Sequence, residues 1–403
     1  MNEKERKKRL VFFDFITHFG GAQCCTVLLL ERLKQTEEVH VIDAYGCCTE
    51  YMDALAKYNI LTHILSPDVK KSYIGYEGKS LKRIWSFIGQ IPALLILRHR
   101  LIKKILEINP DLIWTNSVKA LAFLITGLRL RQYTMAIYAH GWYRKFQVPG
   151  FGRWLIKRFV DCVLAVSNPT KAALKSWGVS EDKIHVVFNT IDFDNILEDG
   201  SKEPITEVPG IHKGYKILVP GTLLRTKGQH SVVKAAYILK KKGFDFAIWL
   251  VGGVSAGDES GYREHLLQQI GANGLQDNVF LLGWRSDVLS LMNLSDVVVL
   301  PTHTEGLPRV IQEAMILRRP VISTPVGGIT DLITNGETGL LIPIDDENAL
   351  AKGLEELILD RDSARWIAER AYNYIYKNFY TDSQISLVKE AFQCGIMKKQ
   401  RGK

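Results

Sequence analysis

An α/β protein of two parallel-sheet domains is what this chain of 403 residues predicts. Three observations carry that expectation. The chain is too long for one ordinary hydrophobic core. Short apolar runs alternate with helical stretches in two successive series, the pattern of parallel strands wrapped by helices. Between the series lies a polar stretch, 195–215, with Pro204, Pro209, Gly210 and Gly214, which reads as a linker. The expected parts are therefore 1–194, the linker 195–215, 216–380, and a closing segment 381–403 that is helical by pattern.

The first series begins with the strand 10–15. A basic lead-in (Lys4, Arg6, Lys7, Lys8, Arg9) before an apolar run superficially suggests a signal peptide. Asp14, His18 and the pair Gly20-Gly21 interrupt the run, so a first strand is expected instead. Gly20 and Gly21 directly follow it, where glycine permits a tight turn and close backbone approach to a ligand. Further strands are expected at 39–44, 111–114, 135–139, 163–167 and 184–188. His140-Gly141 stands at the carboxyl end of one of them, a position that favours function over packing for a histidine. Asn168-Pro169 reads as a helix start with Asn as the cap.

The second series places strands at 216–219, 246–251, 279–282, 297–300, 321–323 and 340–342. Gly221-Thr-Leu-Leu-Arg-Thr-Lys227-Gly228 follows the first and opens a helix, so its backbone and Lys227 suit a phosphate. The run Val297-Val-Val-Leu300 leads into Pro301-Thr-His-Thr-Glu-Gly-Leu-Pro-Arg-Val-Ile-Gln-Glu-Ala-Met315. Here Glu305 falls on a loop before a helix start, Pro308 suits the first helical position, and Glu313 lies inside the helix.

Composition bounds the rest. Hydrophobic residues make up 46% and charged residues 24%, as in ordinary globular proteins, and no apolar run approaches a membrane span. The six cysteines include Cys24-Cys25 and Cys47-Cys48, neither with zinc-site spacing, and read as reduced cytosolic thiols. Residues 1–190 carry 28 Lys and Arg against 16 Asp and Glu, a net of +12; residues 191–403 carry 24 against 27, a net of −3. Basic and aromatic residues mix in 79–106, in 142–146 and in 151–159, as interfacial segments do, so peripheral contact with an anionic membrane is expected. No nucleic-acid recognition motif is present, and no nucleic acid is expected as partner. Asp192-Phe-Asp194 has a metal-holding pattern, but no metal is expected there.

The spacing of Glu305 and Glu313, with Glu-Gly-Leu-Pro at its start and Glu-Ala-Met at its end, resembles the signature of the retaining family 4 glycosyltransferases. Arg319-Pro-Val-Ile-Ser-Thr-Pro-Val-Gly-Gly328 and Asn335-Gly-Glu-Thr-Gly-Leu-Leu341 are similar to the same family's following segments. The resemblance is dense from about residue 217 to 345. It implies the GT-B architecture: two Rossmann-like domains facing a cleft, with the C-terminal helix crossing back to the first. It implies a nucleotide diphosphate sugar as donor and a glycan or lipid-linked acceptor, in surface polysaccharide or glycolipid assembly at the inner face of the cytoplasmic membrane. No cofactor and no metal are expected.

By the same resemblance, Lys227 stabilises the diphosphate, Glu305 stands beside the sugar and Glu313 accepts from the ribose hydroxyls. The backbone of Gly306, Leu307, Pro308, Arg309 and Val310 meets the diphosphate or the sugar. His140 is set against the transferred sugar, to orient a hydroxyl or share developing positive charge. Gly20 and Gly21 lie near donor phosphates and acceptor. Where the family often has Arg, this chain has Thr222, and Arg225 is the candidate replacement. Gln23 stands where an acid is frequent, and Asp331 where Glu is. A nucleotide-sugar epimerase of similar fold and an inactive sugar-nucleotide-binding scaffold protein are the alternatives.

Overall fold

Runs of Val, Ile, Leu and Phe bounded by turn residues form the strands of two parallel sheets, and both faces of each sheet are covered by helices. The structure is a computed structural model; it describes residues 6–66, 81–125, 128–141, 150–204, 206–254 and 261–401. The chain divides into two units, Met1–Ile191 with Thr381–Lys403, and Asp192–Tyr380.

The first unit contains β1 (Arg9–Asp14), α1 (Gly21–Lys34), β2 (Glu38–Asp43), α2 (Thr49–Lys57), β3 (Leu61–Ile64), α3 (Leu81–Ile108), β4 (Leu112–Thr115), α4 (Val118–Ile125), β5 (Thr134–Ala139), α5 (Gly150–Phe159), β6 (Cys162–Ala165), α6 (Asn168–Ser176) and β7 (Ile184–Val186). The strands lie in the order β3-β2-β1-β4-β5-β6-β7, so the winding reverses between β1 and β4. β3 is absent from the sequence expectation. It is an edge strand with Leu61 and Ile64 exposed, so it lacks the continuous apolar run that marks its buried neighbours. The cap of α6 is also corrected: Ser167 is the extended residue, and its Oγ accepts from Thr170 N at 3.2 Å, which leaves Asn168 inside the first turn.

The second unit contains α7 (Phe193–Ser201), β8 (Tyr215–Pro220), α8 (Gln229–Lys241), β9 (Phe246–Val251), α9 (Tyr262–Ala272), β10 (Val279–Gly283), α10 (Val288–Leu294), β11 (Val297–Leu300), α11 (Arg309–Ile316), β12 (Val321–Ser323), β13 (Leu340–Leu341), α12 (Glu347–Leu359) and α13 (Arg361–Asn378). The order β10-β9-β8-β11-β12-β13 reverses between β8 and β11. All six residues of β9 are buried. At about 1.5–3 kcal/mol per buried large apolar side chain, such strands dominate the stability of the unit.

The polar stretch at 195–215 is not a linker throughout. Asp192 accepts from Asn195 N at 3.1 Å and caps α7, whose Gly200 lies against Leu317 and whose Asp199 carbonyl accepts from Ser290 Oγ. A helix with its own cap and buried face joins the second unit, which therefore begins at Asp192. The capping role also occupies the first acid of Asp192-Phe-Asp194. The final helix, α14 (Thr381–Arg401), returns to the first unit and packs on β5 and β6. Gly395 makes that approach possible: a Cβ there would meet the Cys162 Cβ at 3.0 Å. Lys399 fixes the end of the helix to Asp161 at 3.1 Å.

No disulfide joins the cysteines among the described residues, and burial raises the pKa of Cys47 and Cys48. No helix among the described residues is long and apolar enough to cross a membrane. Residues 142–146, and the side chains of Lys82, Arg83, Trp85, Phe87 and Ile88, lie outside the described residues.

Candidate active site

Where the winding of a parallel sheet reverses, the loops leaving the two flanking strands diverge and open a crevice at the carboxyl edge. In the second unit those loops are the turn after β8 and the segment after β11. They are stitched together. Gly228 opens α8 with φ of 74°, and a Cβ there would stand 2.0 Å from the Pro301 carbonyl oxygen. Glycine alone permits that approach. His303 N donates to Thr226 O at 2.8 Å, and Thr302 Oγ1 donates to the same oxygen at 3.2 Å.

This stitching delivers Lys227 Nζ to Glu305 Oε1 in a close ion pair across 78 residues of sequence. The side chains are 26% and 15% exposed, so the pair is less screened than one on the open surface. One helix turn apart, Arg309 Nη2 pairs with Glu313 Oε1 at 3.1 Å. Gly306 O accepts from Gly328 N at 2.8 Å, which ties the glycine pair Gly327-Gly328 to the same loop. Leu307 is buried under the loop, and Val310 is half-buried in the first turn of α11. Pro308 corrects the expectation: it is the extended cap of α11, with ψ of 117°, and Arg309 takes the first helical position. The positive end of α11 thus begins one residue later, still beside Glu305.

Thr222 and Arg225 are exposed on the rim of this crevice. Thr222 is held through its carbonyl, which accepts from Gln229 Nε2 at 3.0 Å. Arg225 lies close enough to His230 and Tyr262 for its charge to act on both. Gln229 itself was not singled out from sequence. It is buried, it fixes the β8 turn through the carbonyls of Gly221 and Thr222, and nothing local in the sequence distinguishes it from a solvated helix residue. Asp331 follows the glycine pair, half-buried.

His140, Gly20 and Gly21 belong to the first unit, all on the carboxyl edge of its sheet. Gly20 is the extended cap of α1, and its N–H donates to Gln23 Oε1 at 3.2 Å, so Gln23 has a local capping task. His140 continues β5. Its ring lies 4.0 Å from that of Tyr138, and its side chain bonds Asn189. Nε2 is shielded from solvent and has no partner among the described residues. Burial pulls the imidazole pKa down to about 4, against the raising effect of Asn189, so the ring is neutral at neutral pH. A neutral ring can orient a hydroxyl, but it carries no charge to share.

Two buried acids are not among the residues the sequence singles out for a site. Asp14 accepts from Phe15 N and Ser117 Oγ, both at 2.8 Å, and Asp43 accepts from Ile16 N and Gly46 N at 3.3 and 3.0 Å. Together they pin the loop after β1 to β2 and to the exit of β4. Burial raises both carboxyl pKa values, that of Asp43 to about 6.

The chemistry available in the second unit is anion binding and carboxylate–hydroxyl recognition. A lysine and a helix start face the loop, and two glutamates stand eight positions apart with a cation on each.

Residues 19–195 match the family model described as glycosyltransferase family 4, and residues 201–374 match the one described as glycosyl transferases group 1. The chain is 28% identical over 375 residues to the capsular polysaccharide biosynthesis glycosyltransferase CapM of Staphylococcus aureus, covering 87% of this chain and 94% of that one. It is 34% identical over 157 residues to an alpha-D-kanosaminyltransferase of Streptomyces kanamyceticus, covering 38% and 39%. Crystal structures of Anabaena HepE superpose with 96% of this chain and 99% of that one covered: the complex with UDP has a TM-score of 0.78 at 23% identity, and that with UDP and glucose 0.79 at 22%. With the two family models matched end to end on two Rossmann-like units, the chain belongs to the family 4 glycosyltransferases and has the GT-B fold.

Proposed function

We propose that this glycosyltransferase moves a sugar from a uridine diphosphate sugar to a glycan or lipid-linked acceptor, with retention of anomeric configuration, in the assembly of a surface polysaccharide. The observation that carries the reading is the pairing of Lys227 with Glu305 at the reversal point of the second sheet. HepE was crystallised with UDP and with UDP-glucose, and CapM is named for capsular polysaccharide synthesis; both support the choice of donor and setting.

In this scheme the donor diphosphate takes Lys227 from Glu305. Lys227 and the start of α11 then offset the charge that grows on the leaving group. Glu305, released, stands beside the sugar, where its carboxylate stabilises an oxocarbenium-like centre. Glu313, oriented by Arg309, accepts from the two ribose hydroxyls. Arg225 supplies the guanidinium that Thr222 does not. The leaving phosphate takes the acceptor proton on the face it departs from, which gives retention. His140 Nε2 holds a sugar hydroxyl. No metal is asked to hold the diphosphate.

The acceptor side is proposed to touch an anionic membrane. On α5, Phe151 and Trp154 are 64% and 51% exposed and stack 5.8 Å apart, with Arg153, Lys157 and Arg158 on the same helix. That combination is an interfacial one.

The test is thermal-shift screening with UDP-, GDP- and ADP-sugars, followed by mass spectrometry of products formed with lipid extracts. Stabilisation by a UDP-sugar and a mass increment of one sugar on a lipid-linked glycan are expected. An altered sugar nucleotide formed from donor alone points to the epimerase reading. Stabilisation without turnover across acceptors points to the inactive scaffold.

A further inference from the structure

Three segments of the second unit converge on a cluster that the sugar-transfer scheme does not use. His230 lies in the first turn of α8, His303 follows β11, and Asp345 lies between β13 and α12. His230 Nε2 is 3.0 Å and His303 Nε2 2.9 Å from the same oxygen, Asp345 Oδ1; Ser231 Oγ also donates to it, at 3.3 Å. One nitrogen or oxygen from each of the three residues falls within 4.8 Å of the others. Asp345 is held with φ of 56°, an uncommon backbone conformation for a residue with a side chain.

Hydrogen-bond accounting assigns the tautomer of His230. Gln229 is buried, and its Nε2 is committed to the Gly221 and Thr222 carbonyls, so its Oε1 faces Tyr262 and takes the phenolic proton at 3.3 Å. The Tyr262 oxygen then serves as acceptor only. It takes His230 N at 3.1 Å, and the His230 Nδ1 proton at 3.1 Å. A neutral His230 therefore turns a bare Nε2 lone pair toward a carboxylate oxygen. Two acceptors 3.0 Å apart need a positive centre between them. A proton is one solution. A cation is the other.

We propose that His230 Nε2, His303 Nε2 and Asp345 bind a divalent transition-metal ion of the zinc type. Two imidazoles and a carboxylate are an established donor set for zinc, and tetrahedral coordination with ligands near 2.0–2.1 Å separates them by about 3.3 Å, a few tenths of an ångström beyond the distances here. The Tyr262 hydroxyl on Nδ1 is the outer partner that fixes a ligating histidine. His230 lies three residues after Lys227, and His303 two residues before Glu305. The ion would join the β8 turn, the β11 loop and the approach to α12 at one point, so it pins the two loops that carry Lys227 and Glu305 without touching the transferred group.

The test is equilibrium dialysis of the tag-free protein against Zn2+, with metal content measured by mass spectrometry, and Co2+ as a spectroscopic probe. About one equivalent of Zn2+ and a visible absorption of tetrahedral Co2+ are expected, with affinity lowered at least tenfold in His303→Ala and in Asp345→Asn. Asp345→Asn keeps the shape of the side chain and decides the matter where His303→Ala fails to fold. Absence of Zn2+ binding by the wild type, or equal binding by Asp345→Asn, overturns the proposal. Neither measurement depends on sugar transfer, so either reading can fail alone.

Discussion

The two sheets reverse their winding in the same way, yet the loops at the two reversal points are built differently. After β8 and β11 the loops carry charge in pairs, Lys227 with Glu305 and Arg309 with Glu313, and main-chain bonds lock them to each other. After β1 and β4 the loops are pinned by buried acids, Asp14 and Asp43, whose carboxyls burial pushes toward the neutral form. On the second unit the charges stand in pairs on partly exposed loops; on the first the buried carboxyls are committed to internal hydrogen bonds. A fixed, highly charged donor suits the former, and an acceptor chosen by shape and hydroxyl contacts suits the latter.

Removing the second unit's lysine is the severest way to break this contrast. Lys227→Ala should lower kcat by about 10²–10³-fold, the usual loss of one group that stabilises a leaving anion, with the folded state intact by circular dichroism. A rise in donor KM alone, with kcat unchanged, contradicts the assignment.

The first unit's buried groups make a pH prediction with a sign. His140 has a folded pKa of about 4 against 6.5, so its stability contribution is full above pH 6.5 and is lost as pH falls toward 4, about 3 kcal/mol in all. Asp43 has a folded pKa of about 6 against 3.8, so its contribution is present below pH 3.8 and lost as pH rises through 6, again about 3 kcal/mol. The two nearly cancel. Asp43→Asn should therefore lose stability on acidification more steeply than wild type, and His140→Asn less steeply, in urea unfolding between about pH 4 and 6.5. Parallel profiles in all three proteins break the comparison.

Glu313→Ala should raise the donor KM about 10–100-fold with a smaller change in kcat, because it removes binding common to ground and transition states. The smallest effect concerns the surface of the first unit. Phe151→Ala with Trp154→Ala should weaken sedimentation with phosphatidylglycerol vesicles by about tenfold, leaving the weak binding to phosphatidylcholine unchanged.

What the sequence made legible follows from how local the signals are. Buried parallel strands are continuous apolar runs, and glycines and prolines punctuate them, so the strands from β8 to β13 and the loop and helix carrying Glu305 and Glu313 were readable. β3 was not, because an edge strand needs no apolar run, and the cap of α6 was misassigned by one residue because Ser167 and Asn168 are both good caps. The placement of Lys227 on a glycine-flanked turn before a helix was readable, but its ion pair with Glu305 required the Gly228–Pro301 approach, which only the folded chain provides. The convergence of His230 and Asp345 spans 115 residues and leaves no spacing to recognise. The neutrality of His140 likewise depends on burial beside Tyr138, not on its neighbours in sequence.

Calorimetric titration of the wild type and Lys227→Ala with UDP and with uridine tests the central claim, that the second unit holds a diphosphate on Lys227. Lys227→Ala should bind UDP at least tenfold more weakly while uridine binding is unchanged. Equal affinity of the two proteins for UDP would contradict the account.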